Sequence, residues 1–287
     1  MTSSAFVTRF APSPTGCLHR GHAFSALTAA RAADEAGGRF LLRIEDIDAT
    51  RCRPEFEAAI LEDLAWLGLR WEEPVRRQSE HLGDYCAALE ALRERGLLYR
   101  CFRTRREVAA AIGQAPHEED RPAPFRGGPL PSAEERRRLE AGAPFAWRLS
   151  LDAARSELGP AWDALSFVEE GEGPNGERGE IAADPGREGD VILARKDLGV
   201  AYHLAVVVDD ALQGISHVIR GRDLFEAAHV QRLLQALLGL PAPIYRHHRL
   251  LLRPDGKRFA KRDTAETLRE IRDRGVTPEA LIAELGL

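Results

Sequence analysis

The sequence predicts an α/β fold with a parallel sheet, a loop-rich inserted subdomain and a short helical C-terminal segment. Three observations carry this. Strand-like and helix-like segments alternate through the first hundred residues, the order that βαβ units give. Between Cys101 and about Gly189, Pro, Gly, Glu and Arg dominate. Strong apolar patterning then returns at Val191, and the chain ends in two short helix-like runs.

The run Phe6-Val7-Thr8-Arg9-Phe10 is β-branched and aromatic and reads as the first strand. Pro12, Pro14 and Gly16 then force a turn. Phe24, Leu27, Thr28 and Ala32 recur at helical spacing, so a helix follows. A second strand is expected at Arg39–Ile44, then helices at about Pro54–Leu67 and Ser79–Arg95, with Ser79 as N-cap and Gly96 just past the end. Inside the insert, Pro116–Pro124 and Glu169–Gly189 read as loops, with weak strands at Phe145–Ser150 and Leu165–Val168. Val191–Ala194, Tyr202–Val208 and Ile215–Ile219 read as strands. An amphipathic helix spans about Leu224–Leu238, stopping at Gly239 before Pro241. A strand at Ile244–Leu252 leads into the turn Arg253-Pro254-Asp255-Gly256. Ala265–Arg272 and Pro278–Leu285 read as short helices, and no internal repeat is present.

Bulk properties exclude several classes. At 287 residues, 44% hydrophobic and 30% charged, the chain has the composition of a soluble globular protein. No apolar run approaches the roughly 18–20 residues that span a bilayer. Met1-Thr2-Ser3-Ser4 has neither the basic region nor the apolar core of a secretory signal. Cys17, Cys52, Cys86 and Cys101 are too far apart for a disulfide framework or zinc knuckle, which fits a reducing cytoplasm. A net charge of −5 decides nothing about nucleic acid, since a local basic face suffices to bind phosphates. Only Lys196, Lys257 and Lys261 are lysines, against 37 arginines. A compact ammonium kept amid so many guanidiniums points to a specific use.

His19-Arg20-Gly21-His22 falls where the first strand hands over to the first helix. A helix N-terminus offers free N–H groups and partial positive charge, a site for phosphate. Gly21 lets a ligand approach the backbone, and the two imidazoles can donate to phosphate oxygens. Near the other end, Gly256-Lys257-Arg258-Phe259-Ala260-Lys261-Arg262 is a cationic loop after a strand, able to fold over an anion.

Together these two segments resemble the signature motifs of class I aminoacyl-tRNA synthetases: His19–His22 matches His-Ile-Gly-His, and Arg258–Arg262 matches Lys-Met-Ser-Lys-Ser, with Lys261 as the second lysine. Arg9–Gly16, Leu42–Asp46, Val206–Leu212 and Gly214–Gly221 are similar to the glutamyl branch. These blocks are spread along the chain from Arg9 to Arg262. The chain stops about 25 residues after Lys261, which resembles the short glutamyl-queuosine branch, without an anticodon-binding domain. The resemblance implies a Rossmann-like catalytic domain at 1–100 and 190–255. It implies an acceptor-binding-like insert at 101–189, and a lysine loop with a truncated stem-contact segment at 256–287.

It also implies an activity: tRNA-independent activation of L-glutamate by ATP with Mg2+, then transfer of glutamate to queuosine in the anticodon loop of tRNA(Asp). By matching positions, His19, His22 and Lys261 are catalytic, and His19, Gly21, His22, Arg258 and Lys261 contact ATP. Arg9, Phe10, Ala11, Pro12, Ser13, Glu45, Tyr202 and Arg220 form the glutamate pocket. The arginines suit carboxylates and Glu45 suits the ammonium, with the pairing of arginine to carboxylate left open. Arg103/Arg105/Arg106 and Arg136/Arg137/Arg138 either meet tRNA phosphates or pair with neighbouring glutamates. The family implies a cytoplasmic monomer with no membrane partner. Relatives often carry zinc in the insert on Cys-x-Cys and Tyr-x-x-x-Cys. Here only Cys101 remains and Arg103 takes the second position, so no metal is expected, the charged run His117-Glu118-Glu119-Asp120 being read as loop. The alternatives are a minimal glutamyl-tRNA synthetase charging the tRNA terminus, a non-catalytic glutamate- or ATP-binding paralogue, and a nucleotidyltransferase with a small-molecule acceptor.

Overall fold

A computed structural model describes residues 5–104, 106–108, 124–195, 199–251 and 266–287. Strands β1 (Val7–Phe10), β2 (Arg39–Ile44) and β3 (Glu72–Arg77) form a parallel sheet in that order. Helix α1 (Arg20–Glu35) connects β1 to β2, and α2 (Pro54–Trp66) connects β2 to β3. Alanine spacing explains how α1 lies so close on the sheet: Ala23, Ala26, Ala29 and Ala33 are all buried on one face. After β3, a single 3-10 turn (Gln78–His81) leads into α3 (Leu82–Glu94).

The next strands build an antiparallel sheet, ordered β4 (Leu98–Cys101), β5 (Ala146–Leu149), β8 (Ile192–Arg195) and β9 (Gly199–Val200). Helices α4 (Ser132–Glu140) and α5 (Leu151–Leu158) flank β5 in the chain. A third sheet has the order β10 (His217–Gly221), β11 (Ile244–His248), β6 (Ser166–Glu169) and β7 (Gly179–Ala182). Strand pairing therefore crosses the bounds of the expected 101–189 insert three times: β4 joins β5, β8 joins β5 and β6 joins β11. Ser216 stitches β10 beside β1, its N–H donating to Val7 O at 3.0 Å and its hydroxyl accepting from Val7 N–H at 2.8 Å. Helices α6 (Tyr202–Leu212) and α7 (Phe225–Leu238) pack on one another, and α8 (Leu268–Asp273) and α9 (Pro278–Glu284) close the chain. Leu268, Ile271, Leu281 and Leu285 insert into the core under α1 and α2.

Several expectations hold. The strands near Arg39, Phe145, Leu165, Ile215 and Ile244 are present, as are the helices near Pro54, Leu224 and Pro278, and Gly239 takes a left-handed φ of 66° at the end of α7. Two need correction. Tyr202–Val208 is helical, not a strand, because every residue from Leu204 to Asp210 is buried. A helix buried on all sides shows the same continuous apolar run as a buried strand. Ser79 does not cap α3: its N–H and hydroxyl donate to Asp46 at 2.8 and 2.6 Å, and the α-helix starts three residues later. Strands β3, β4, β7 and β9 and helix α5 had no counterpart in the sequence reading.

Candidate active site

The parallel strands β1 and β10 end side by side, the crevice where open α/β sheets place ligands. A cavity of about 480 Å³ opens there. Its wall includes every sequence-predicted site residue that lies within the described chain: Arg9, Phe10, Ala11, Pro12, Ser13, His19, Gly21, His22, Glu45, Tyr202 and Arg220. Arg258 and Lys261 lie outside the described residues, as do Lys196, Lys257, Arg105 and the run His117–Asp120.

The loop after β1 is held by its backbone. Pro12 O accepts from Glu45 N–H at 3.0 Å, and Pro14 O accepts from Arg53 N–H at 3.0 Å. His19 is the N-cap of α1, its Nδ1 accepting from Gly21 N–H at 3.1 Å. His22 Nδ1 accepts in return from His19 N–H at 3.2 Å, a capping box made of two stacked imidazoles 3.8 Å apart. Since each Nδ1 accepts, the proton of each neutral ring sits on Nε2, a donor. A Cβ on Gly21 would stand 3.0 Å from the His19 ring, so a side chain there would push against that imidazole.

Arg9 is buried and donates through Nε to Asp210 Oδ1 at 3.0 Å. Arg43, fully buried, donates to the same oxygen at 2.8 Å, to Glu45 at 3.1 Å and to Gln213 at 3.0 Å. Asp209, next in the helix, accepts from Arg76 at 2.7 Å, Gln78 at 2.8 Å and Tyr85 at 2.8 Å. Burial pushes Glu45 above the ordinary carboxylate range, against the pull of Arg43 and Arg9. Burial acts the same way on Asp210, but Arg9 and Arg43 outweigh it and hold that carboxyl below the ordinary range.

Arg220 is supported differently. Its Nε donates to His247 Nε2 at 3.0 Å, one terminal nitrogen to Gln231 Oε1 at 3.0 Å, and the other to Leu224 O at 2.9 Å. Tyr202 starts α6, and burial raises its phenol pKa, opposed by Arg220.

A second chamber of about 440 Å³ shares Ser13, Glu45, Arg51 and Tyr202 with the first. Strands β8 and β9 supply its far wall through Ile192, Arg195 and Val200, and His203 lines it with a pKa lowered to about 4 by burial and by Arg220. The arrangement can grip an amino acid between two arginines and an acid, set phosphates on the α1 N-terminus, and admit a second reactant from the adjoining chamber.

Among the described residues, the surroundings of Cys101 are aromatic, aliphatic and cationic. Cys101 packs with Tyr99, Phe125 and Val108. Arg103 lies 5.7 Å over the Phe125 ring and Arg148 lies 4.4 Å over it. Among the described residues no three His, Cys, Asp or Glu side chains converge as ligands. Arg137 and Arg138 both pair with Glu134.

Sequence reading missed the residues that hold the pocket: Arg43, Asp209, Asp210, Glu169 and His247. Two acids straight after a run of three valines were the available signal for Asp209 and Asp210, since buried acids need cationic partners. Glu169 lay in what read as loop and carried no signal.

The profile of the class I tRNA synthetases (E and Q), catalytic domain, matches residues 5–287. A Glutamyl-Q tRNA(Asp) synthetase of Rhodobacter capsulatus is 46% identical over 98% of this chain and 100% of its own length. That of Symbiobacterium thermophilum is 41% identical over 96% of this chain and 84% of its own. A crystal structure of a glutamate tRNA ligase from Elizabethkingia meningosepticum in complex with its amino acid superposes with a TM-score of 0.76 at 29% identity. It covers 98% of this chain, which spans 60% of that structure's length. No helix among the described residues is long and apolar enough to cross a membrane. The Rossmann-like crevice, its paired histidines and these matches along nearly the whole chain agree, and the chain belongs to the class I tRNA synthetases of the glutamyl and glutaminyl type, within the glutamyl-Q tRNA(Asp) synthetase group of ligases.

Proposed function

We propose that the cavity activates L-glutamate with ATP and Mg2+, without tRNA, and that glutamate is then transferred to the queuosine base in the anticodon loop of tRNA(Asp). The observation that carries this reading is the convergence of Arg9, Glu45, Tyr202 and Arg220 with the His19/His22 helix N-terminus on one cavity. The names of the relatives at 46% and 41% identity support the acceptor. The glutamate α-carboxylate attacks the α-phosphorus of ATP; the acyl–phosphate bond forms and pyrophosphate leaves. Such a reaction needs in-line placement and charge stabilisation more than a protein nucleophile. The Nε2 protons of His19 and His22 meet the phosphates, and Arg258 and Lys261 follow the departing charge. A donor of this kind is worth roughly 3–4 kcal/mol. Glu45 takes the ammonium, the arginines take carboxylates, and Ser13 and the Ala11 backbone complete the pocket. An acceptor hydroxyl then attacks the glutamyl carbonyl from the adjoining chamber, AMP leaves, and the enzyme works as a cytoplasmic monomer.

The likeness to glutamate tRNA ligases favours one second reading, charging of the tRNA terminus. Incubating the protein with ATP, labelled glutamate and tRNA(Asp) with or without queuosine separates the two. The proposal requires label only on the queuosine-bearing tRNA and, after ribonuclease digestion, on its anticodon-loop fragment. Label on tRNA(Glu), or label on the 3′-terminal fragment, overturns it.

A further inference from the structure

We infer that Glu169 and His247 are positioning residues that hold Arg220 by fixing the tautomer of one imidazole; this rests on the reading of Arg220 as a glutamate ligand. The geometry leaves little freedom. Arg220 has no acceptor atoms, so His247 Nε2, 3.0 Å from Arg220 Nε, must present its lone pair. The neutral ring then carries its proton on Nδ1, which lies 2.5 Å from Glu169 Oε2. The other carboxylate oxygen accepts from the N–H groups of His247 at 2.9 Å and Gly171 at 2.8 Å. Both side chains of the relay are inaccessible to solvent. Gly171 is required for this closeness, since a Cβ there would lie 2.2 Å from His247 O.

The surroundings keep the ring neutral. Burial lowers the His247 pKa, Arg220 and His248 act the same way, and Glu169 opposes them. Tyr245 stacks parallel on the ring at 5.8 Å, and Phe225 meets it edge-on at 5.3 Å. Arg220 is thereby oriented by neutral acceptors, His247, Gln231 Oε1 and Leu224 O, and its charge stays available to an anionic substrate. A direct carboxylate at this position would orient the guanidinium equally well and neutralise it.

Glu169→Gln tests the relay through the tautomer. The amide oxygen of Gln satisfies the two backbone N–H groups, which turns its NH2 toward His247 Nδ1. The ring proton then moves to Nε2 and points at Arg220, donor against donor. Nitrogen-15 NMR of labelled His247 is expected to show the Nδ1–H form in the wild type and the Nε2–H form in Glu169→Gln. In glutamate-dependent pyrophosphate exchange, Glu169→Gln and His247→Leu are expected to raise the glutamate KM about tenfold or more. The ATP KM should stay within about twofold, and His247→Gln, which restores an acceptor near the Nε2 position, should recover most of the loss. Glutamate and ATP KM values rising together, or His247→Gln behaving like His247→Leu, would overturn the relay. Should Glu169→Gln not fold, the two His247 variants decide alone. Arg220→Ala separates the two ideas. If it raises the glutamate KM while folded relay variants do not, the relay fails. If it leaves that KM unchanged, the glutamate reading fails, and the tautomer signal still decides the relay.

Discussion

The two arginines that line the cavity are held by opposite means. Arg9 sits in a cluster of ion pairs: Arg9, Arg43 and Arg76 against Asp210, Asp209 and Glu45. Arg220 touches only neutral acceptors, and among the described residues no carboxylate lies within ion-pair distance of it. Each arrangement surrounds a buried guanidinium with acceptors, although Arg43 Nε makes only a 3.6 Å ion-pair contact to Asp209. They differ in the charge they leave over. The Arg9 wall is internally neutralised, suited to shaping the pocket and presenting Glu45 to an ammonium. The Arg220 wall keeps its positive charge for a carboxylate.

That comparison breaks first at Asp210. Asp210→Ala leaves Arg9 and Arg43 facing one another without their shared acid, and removing one partner of a buried pair costs about 3–5 kcal/mol. Urea unfolding should show that loss; a loss under about 1 kcal/mol would mean the cluster is not the buried ion-pair system described.

Asp63 supplies the opposite case, an acid buried without a donor. Among the described residues, neither of its oxygens has a hydrogen-bond partner, and the cation paired with it, Arg272 on α8, is 3.9 Å away. Burial raises its pKa to about 6, opposed by Arg272 and Arg269. The folded-state value lies above the ordinary 3.8, so the protonated acid stabilises the fold below that value and the benefit is lost as pH rises through about 6. Asp63→Asn should therefore match the wild type near pH 4 and exceed it by about 1–3 kcal/mol at pH 7. An advantage that does not grow across that window would contradict the assignment. Asp210, held by two cations, has the reverse sign: its contribution is present above the ordinary carboxylate pKa and lost as pH falls below it.

Arg220→Ala sharpens the comparison kinetically. Losing charge-assisted bonds to a carboxylate should cost about 1.5–3 kcal/mol, a rise of roughly 10- to 100-fold in glutamate KM. Arg9→Ala should lower both stability and glutamate affinity, because it also strips Asp210 of a partner. Equal stability losses in the two variants would erase the distinction between the walls. The smallest effect belongs to the exposed pair Arg39–Glu72, 2.6 Å apart across β2 and β3. Glu72→Gln should change stability by no more than about 0.5 kcal/mol, measured by thermal unfolding.

Much of the site could be read before the fold was known, because it rests on local signals. The Pro/Gly turn after Arg9, the His-x-Gly-His step into α1 and the strand ending at Arg220 each announce themselves within about ten residues. What holds those residues was not legible. Asp210 is 201 positions from Arg9 and Glu169 is 78 positions from His247, so each pairing depends on topology rather than spacing. The misread run at Tyr202 shows the same limit: three valines favour a strand locally, and tertiary burial against α7 makes them helical. Strands β4, β7 and β9 were likewise hidden, being short and divided between two sheets.

The central claim is that this cavity activates glutamate by itself. ATP–pyrophosphate exchange measured without tRNA tests it most directly, with glutamate, glutamine and aspartate compared at equal concentration. The account predicts exchange that depends on glutamate, is weak with glutamine or aspartate, and is lost in Arg220→Ala at subsaturating glutamate. No exchange without tRNA, or exchange indifferent to the amino acid and to Arg220, would contradict it.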